Sequence, residues 1–217
     1  MSNRNVPTTK FNALVQEQIR NEFTVAQQYI AMAVYFDGDD LPQLARHFYS
    51  QAVEKRNHAM MLVQYLLDRD APVEIPGVDE VRNQFDCVRD ALEFAVQHER
   101  AVTEQVGRLA GVAREESDYL GEQFMQWFCK EQIRQVALMT TLLRVADRAG
   151  ANLFDLENFV AREVGSAPSP SGAPHAAGAA CEPTVRLRQA PRAPGPGVSR
   201  CAKGRSERGR ARAFAGH

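Results

Sequence analysis

Residues that break helices are scarce over most of this 217-residue chain. Between residues 8 and 164, glycine and proline gather at Gly38 and Pro42, at Pro72, Pro76 and Gly77, and at Gly150. The stretches between them predict four long helices and one short one, at about 8–37, 42–69, 84–113, 116–148 and 153–163. Gly107, Gly111 and Gly121 weaken the end of the third helix and the start of the fourth. Cysteine is scarce too. Cys87, Cys129, Cys181 and Cys201 lie far apart and lack CxxC spacing, which fits free thiols in a reducing cytoplasm. No apolar run is long enough to span a membrane. The N-terminal "MSNRNVPTTK" has no apolar segment behind its charges, so no secretory signal is expected.

What is present divides the chain in two. Residues 1–164 hold 17 basic and 25 acidic residues, a net charge of −8. Residues 165–217 hold 9 basic and 2 acidic residues, a net charge of +7. The first part is long enough for one domain with a sizeable core. The second is rich in Ala, Gly, Pro, Ser and Arg and has almost no aliphatic pattern, so it is expected to be disordered. Within the domain, "DGDDLP" makes the first two helices antiparallel neighbours. The second and third are joined by "DAPVEIPGVDEVRN", which extended covers about 45–50 Å. A helix of about 28 residues is about 42 Å long. The link can therefore run the length of a bundle, which permits an up-up-down-down arrangement with one long crossover.

Inward stripes at helical spacing carry the functional signal. The first helix gives Phe11, Val15, Gln18, Glu22, Val25, Tyr29, Met32 and Phe36. The second gives Leu41, Leu44, Phe48, Ala52, Lys55, Ala59, Leu62 and Leu66, with His58 beside Lys55. The third gives Phe85, Val88, Leu92, Ala95, Glu99, Val102, Val106 and Leu109. The fourth gives Leu120, Phe124, Trp127, Glu131, Gln135, Leu138, Leu142 and Val145, with Phe128, Gln132 and Met139 on the next row. Each stripe is apolar at its ends and polar near its middle. Buried carboxylates are costly unless paired or bound to a cation. Glu22, His58, Glu99 and Gln132 offer oxygen and imidazole donors suited to iron or another divalent metal. A polar network that only fixes helix register is the competing reading. Di-iron carboxylate bundles use Glu from two helices and Glu-x-x-His from two others. Here the second helix reads "KRNH" and the fourth "EQIRQ", without histidine.

Residues 8–164 closely resemble bacterial non-haem ferritins of the bacterioferritin B type. The resemblance runs through "QEQIRNEFTVAQQYIAMAVYF", "LPQLARHFYSQAVEKRNHAMMLVQYLLDRD", "VEIPGVD", "LGEQFMQWF", "EQIRQVALM" and "ADRAGANLFDLENFVAREV" and continues into "SGAPHAAG". It implies an all-α, ferritin-like four-helix bundle with a long crossover and a short fifth helix. It also implies a cytoplasmic, 24-subunit cage that takes up Fe(II), oxidises it with O2 or H2O2 and stores Fe(III) mineral. Carried over by position, Glu22 and His58 match ligands of the first iron and Glu99 a ligand of the second. Gln132 matches the fourth-helix glutamine on the oxygen or second-iron side, and Tyr29 a tyrosine beside the centre. The glutamate that bridges both irons is replaced by Lys55. Near Gln135 many bacterial members place a third-iron carboxylate, and Arg134 stands where acidic residues are common. Haem-binding relatives use a methionine between the Glu and His of the second-helix motif. This chain has Arg56 and Asn57 there, so no haem is expected.

A protonated ammonium cannot bind iron. Held among Glu22, Glu99 and Glu131, Lys55 is expected to stay charged and fill the role of one metal ion. Animal light-chain ferritins resemble this solution and mineralise iron without a working centre. The expectation is iron storage with impaired ferroxidase activity. Glu54, four residues before His58 on one helix face, is a candidate replacement ligand. Alternatives are a structural or mineralising subunit that joins an active ferritin, and a DNA-protecting protein using the basic tail. Against the last, the ligands lie within one bundle and a fifth helix is readable, so nucleic acid is not an expected partner, and the lack of a long apolar run makes a membrane none either. His47, His98, Trp127, Phe128, Met60 and Met61 read as packing residues, and Cys129 as a buried thiol. Glu122 reads as a channel residue or a solvated charge.

Overall fold

Each helix start must find acceptors for its free N–H groups, and here distant carboxylates supply several of them. The computed structural model describes residues 9–164 and 172–178. It contains α1 (Lys10–Gly38), α2 (Pro42–Asp68), α3 (Val88–Glu115), α4 (Tyr119–Ala149), α5 (Leu153–Phe159) and a closing π-helical turn, Val160–Val164. No strand occurs among the described residues. Thr9 caps α1 by accepting the Asn12 N–H at 3.1 Å. Glu116, just past α3, adds acceptors for the N–H groups of Lys10 and Phe11 at 2.9 and 3.1 Å. α2 begins at Pro42 behind Leu41, which has no capping side chain. Glu157 of α5 fills that role, accepting the Gln43 and Leu44 N–H groups at 2.8 and 2.9 Å. Asp118 caps α4 through the Gly121 N–H at 3.0 Å.

Contacts at the helix ends fix the topology. Tyr35 near the end of α1 packs on Phe85 before α3, with ring centroids 5.2 Å apart. Glu116, past the end of α3, meets the start of α1. Tyr65 near the end of α2 stacks on Phe124 near the start of α4 at 4.3 Å. Arg89 at the start of α3 pairs with Asp147 at the end of α4 at 2.7 Å. The order is therefore up-down-down-up, which corrects the up-up-down-down arrangement. The tight α1–α2 turn reverses the chain, and the crossover carries it back so that α3 runs parallel to α2.

The crossover lies along α1 and is fastened every turn. Side chains at 16, 20, 24 and 28, four residues apart, share one face. Gln16 exchanges hydrogen bonds with the backbone of Glu74. Arg20 pairs with Asp79, and Thr24 Oγ1 accepts the Asp79 N–H at 3.1 Å. Gln28 and the backbone of Arg82 exchange two bonds at 2.8 Å each.

The first three stripes face the core as expected, with only Phe85 half-buried. The fourth drifts at its start. Leu120 is 70% exposed, while Met125 is fully buried. Phe124 sits at the edge of the stripe, and a further step of four carries Leu120 out of the bundle. Gly121 has a packing reason: a Cβ there would meet a Phe11 ring carbon at 2.7 Å. The Phe11 ring of α1 takes the space that a Cβ would fill.

Of the segment 165–217 expected to be disordered, residues 172–178 are described and the rest lies outside the described residues. Within it, the Ala177 N–H donates to the Met60 carbonyl at 3.0 Å, and Ala176 and Ala177 pack on the core. Cys87 and Cys129 are free thiols, and Cys181 and Cys201 lie outside the described residues. Among the described residues, no helix is long and apolar enough to cross a membrane.

Candidate metal centre

Four helices each bring polar groups to one buried level. From α1 come Gln18, Glu22 and Tyr29, on the face that also carries Val15 and Val25 into the core. From α2 come Lys55 and His58, from α3 Glu99, and from α4 Glu131, Gln132 and Gln135. Lys55 and Glu99 are both 0% exposed. A lysine buried so fully survives only with a partner, because its ammonium loses all its hydration.

Glu99 is that partner, and it is crowded with donors. Lys55 Nζ donates to Glu99 Oε2 at 2.8 Å. Gln132 Nε2 donates to the same oxygen at 3.1 Å. The Tyr29 hydroxyl donates to Glu99 Oε1. Three donors from three helices thus occupy three of the roughly four lone-pair directions of the carboxylate. Thr103 completes the arrangement, its hydroxyl donating to the Glu99 carbonyl at 2.7 Å.

Glu22 is held differently. Gln18 Nε2 donates to its Oε1 at 2.9 Å. Its Oε2 lies 3.7 Å from His58 Nδ1, too far for a hydrogen bond, and neither atom has another hydrogen-bond partner. Trp127 and Phe128 close on the imidazole edge-on at 5.5 and 5.6 Å. Glu22 and His58 therefore form an open corner beside a closed Lys55–Glu99 pair.

Electrostatics match the geometry. Burial alone would lower the Lys55 pKa, but Glu99 and Glu22 outweigh it and push it up, so the ammonium persists. Burial alone would raise the Glu22 pKa, but the Lys55 charge and His58 outweigh it and hold the carboxyl below its ordinary range. Burial and the Glu99 charge push Tyr29 well above the usual phenol range, so it remains a donor.

A second polar cluster adjoins the centre. Glu54 Oε2 accepts from Gln51 at 3.0 Å and from Gln135 of α4 at 3.2 Å. Gln135 also donates to Glu131 at 3.0 Å, and Arg134 pairs with the same carboxylate. The Glu54 carboxylate is thus engaged by Gln51 of its own helix and by Gln135 of α4. Among the described residues, no group of three or more His, Cys, Asp and Glu side chains is placed to hold a metal ion.

The other candidate side chains make local contacts. His47 is buried against Phe48, and burial pushes its pKa down to about 4. His98 packs on Phe94 at 4.5 Å. Glu122 is paired with Arg114. Thr103 and Gln51 were not singled out by periodicity. Thr103 sits four residues past Glu99, and that spacing is the signal that could have found it.

Comparison with known proteins agrees with this architecture. A family model described as a ferritin-like domain matches residues 12–149. The chain is 76% identical over 172 residues to bacterioferritin BfrB of Mycobacterium tuberculosis (strain H37Rv), covering 79% of this chain and 95% of that protein. It is 66% identical over 180 residues to ferritin BfrB of Mycolicibacterium smegmatis, covering 83% and 99%. Among solved structures, an open-pore ferritin from Archaeoglobus fulgidus aligns with a TM-score of 0.68 at 26% identity, covering 70% of this chain and 95% of that one. By sequence and by fold, this chain belongs to the ferritin family.

Proposed function

We propose that this chain is a subunit of an iron-storing ferritin cage whose own ferroxidase centre is filled by a lysine. The carrying observation is the Lys55–Glu99 pair, 2.8 Å apart and fully buried. An ammonium has no lone pair to give a metal, and it occupies the carboxylate that would serve the second iron. Two-electron reduction of O2 draws one electron from each of two neighbouring Fe(II) ions. With the second position taken, the Glu22–His58 corner offers at most one, so Fe(II) oxidation at the centre is slow. Iron is cargo here, held mainly as mineral in the cage interior, and the cytoplasm is the expected compartment.

The adjoining cluster supports the same reading. Arg134 and Gln135 satisfy Glu131 and Glu54 from within the chain. Both carboxylate groups that could draw cations into the bundle thus have partners of their own. The apolar ends of the stripes and the long-range caps are meanwhile intact. That combination favours a subunit that builds cages, alone or mixed with an active ferritin. Stopped-flow Fe(II) oxidation of the assembled chain against Lys55→Glu is the test. The variant is expected to gain a fast phase about 10–100-fold above the parent rate. Equal fast phases in both proteins would defeat the reading.

A further inference from the structure

α1 packs closely along α2 but only loosely against α3. In that looser seam lies a small cleft of about 30 Å³, lined by Leu14, Glu17, Gln18, Asn21, Gln105 and Arg108. It has room for about one or two water molecules, each needing about 10–15 Å³ of that space. Its inner wall is a polar chain that leads to the centre. Asn21 Nδ2 donates to Gln18 Oε1 at 3.4 Å, and Gln18 Nε2 donates to Glu22 Oε1 at 2.9 Å. Past them stand Glu22 Oε2 and His58 Nδ1, both buried and without a hydrogen-bond partner. Gln105 Oε1, on the α3 side of the cleft, is another buried acceptor without one.

The other approaches to this corner suit a cation less well. Trp127 and Phe128 wall His58 with ring edges. Toward Glu99 the way is held by the Lys55 ammonium and by the donors of Tyr29 and Gln132. The cleft instead offers amide oxygens, which can replace water around a cation without adding charge.

We propose that the α1–α3 cleft is the route by which small divalent cations, shedding their water as they pass, exchange with the Glu22–His58 corner, with Gln18 as its gate. The inference rests on reading that corner as an iron position. Gln18 shields Glu22 from solvent and holds one of its oxygens. When that hydrogen bond opens, the oxygen is freed and the amide carbonyl can receive the incoming ion's water. At the rim Glu17 attracts cations and Arg108 repels them, so the two set the rate with opposite signs.

Co(II) provides a redox-silent probe, because imidazole and carboxylate coordination changes its visible absorbance. Loading and release are followed in the assembled full-length protein. Gln18→Met keeps the volume but removes the relay, and both rates are expected to fall about tenfold, the equivalent of losing one buried hydrogen-bond partner on the path. Glu17→Gln is expected to slow loading and Arg108→Gln to speed it. Independently of any metal, exchange of the His58 ring C–H with D2O, read by mass spectrometry, slows in Gln18→Met, while that of exposed His175 does not.

Unchanged rates in all three variants overturn the route. A drop in Co(II) affinity at unchanged release rate also overturns it, since Gln18 would then position Glu22 rather than gate it. A parent protein with no Co(II) signal overturns the corner as an ion position, and the route with it. If Gln18→Met fails to assemble, the two rim variants decide: no opposed change in their rates overturns the route.

Discussion

Lys55 is the residue on which the centre turns, because it is a cation that cannot leave. Replacing it by methionine strands Glu99 as a buried carboxylate with only neutral donors. Lys55→Met is therefore expected to cost about 3–5 kcal/mol in denaturant unfolding, and a double variant with Glu99→Gln to recover most of it. The pH dependence follows from the directions of the two shifts. Glu22 is depressed, so its contribution is present above the ordinary glutamate pKa of about 4.3 and is lost as pH falls through its lower folded value. Lys55 is raised, so its contribution is present below the ordinary lysine pKa of about 10.4 and is lost as pH rises through its higher folded value. Unfolding midpoints measured against pH are expected to show no loss from this pair between those limits. The residues of this site were legible as interruptions of apolar stripes, and Lys55 as the odd one among them. Their partners were not. Helical periodicity places Gln18, Gln51 and Thr103 on a face but does not say which carboxylate each will reach. That depends on how neighbouring helices are rotated.

At the scale of the element, starts and stops were readable because Gly and Pro mark them, and the observed bounds fall within a few residues of those expected. The caps were less readable, since two are supplied from far along the chain. Glu157 accepts two N–H groups of α2 from α5, a sequence distance of 113 and 114 residues. Glu157→Ala is expected to lower stability by about 1 kcal/mol and to speed amide hydrogen exchange in the first turn of α2. Unchanged exchange there would show that α2 does not depend on α5 for its start. The crossover topology was half readable. Its length permitted the return, but its direction is set by the α1 side chains at 16, 20, 24 and 28, whose partners become known only once the chain is folded.

At the scale of the whole molecule, the intact scaffold and the filled centre predict how mixed cages behave. When this chain is co-assembled with an active ferritin, the initial Fe(II) oxidation rate per cage is expected to rise in proportion to the number of active subunits. Iron retained per cage is expected to fall much less steeply. A rate independent of the mixing ratio would mean that this chain oxidises iron itself. The basic segment after residue 178 lies outside the described residues, so such mixtures should be prepared with and without it.

The fixed ammonium also changes how the protein's stability relates to its supply of iron. A dissociable cation bound only by the folded state stabilises it by an amount that grows with the concentration of that cation. Lys55 is present at one equivalent per chain under every condition, and its attraction for Glu99 needs no free ligand. Folding at this level of the bundle is thereby largely uncoupled from metal availability. A cell starved of iron and one replete with it would differ in the folded fraction of this subunit only by what an ion at the Glu22–His58 corner adds.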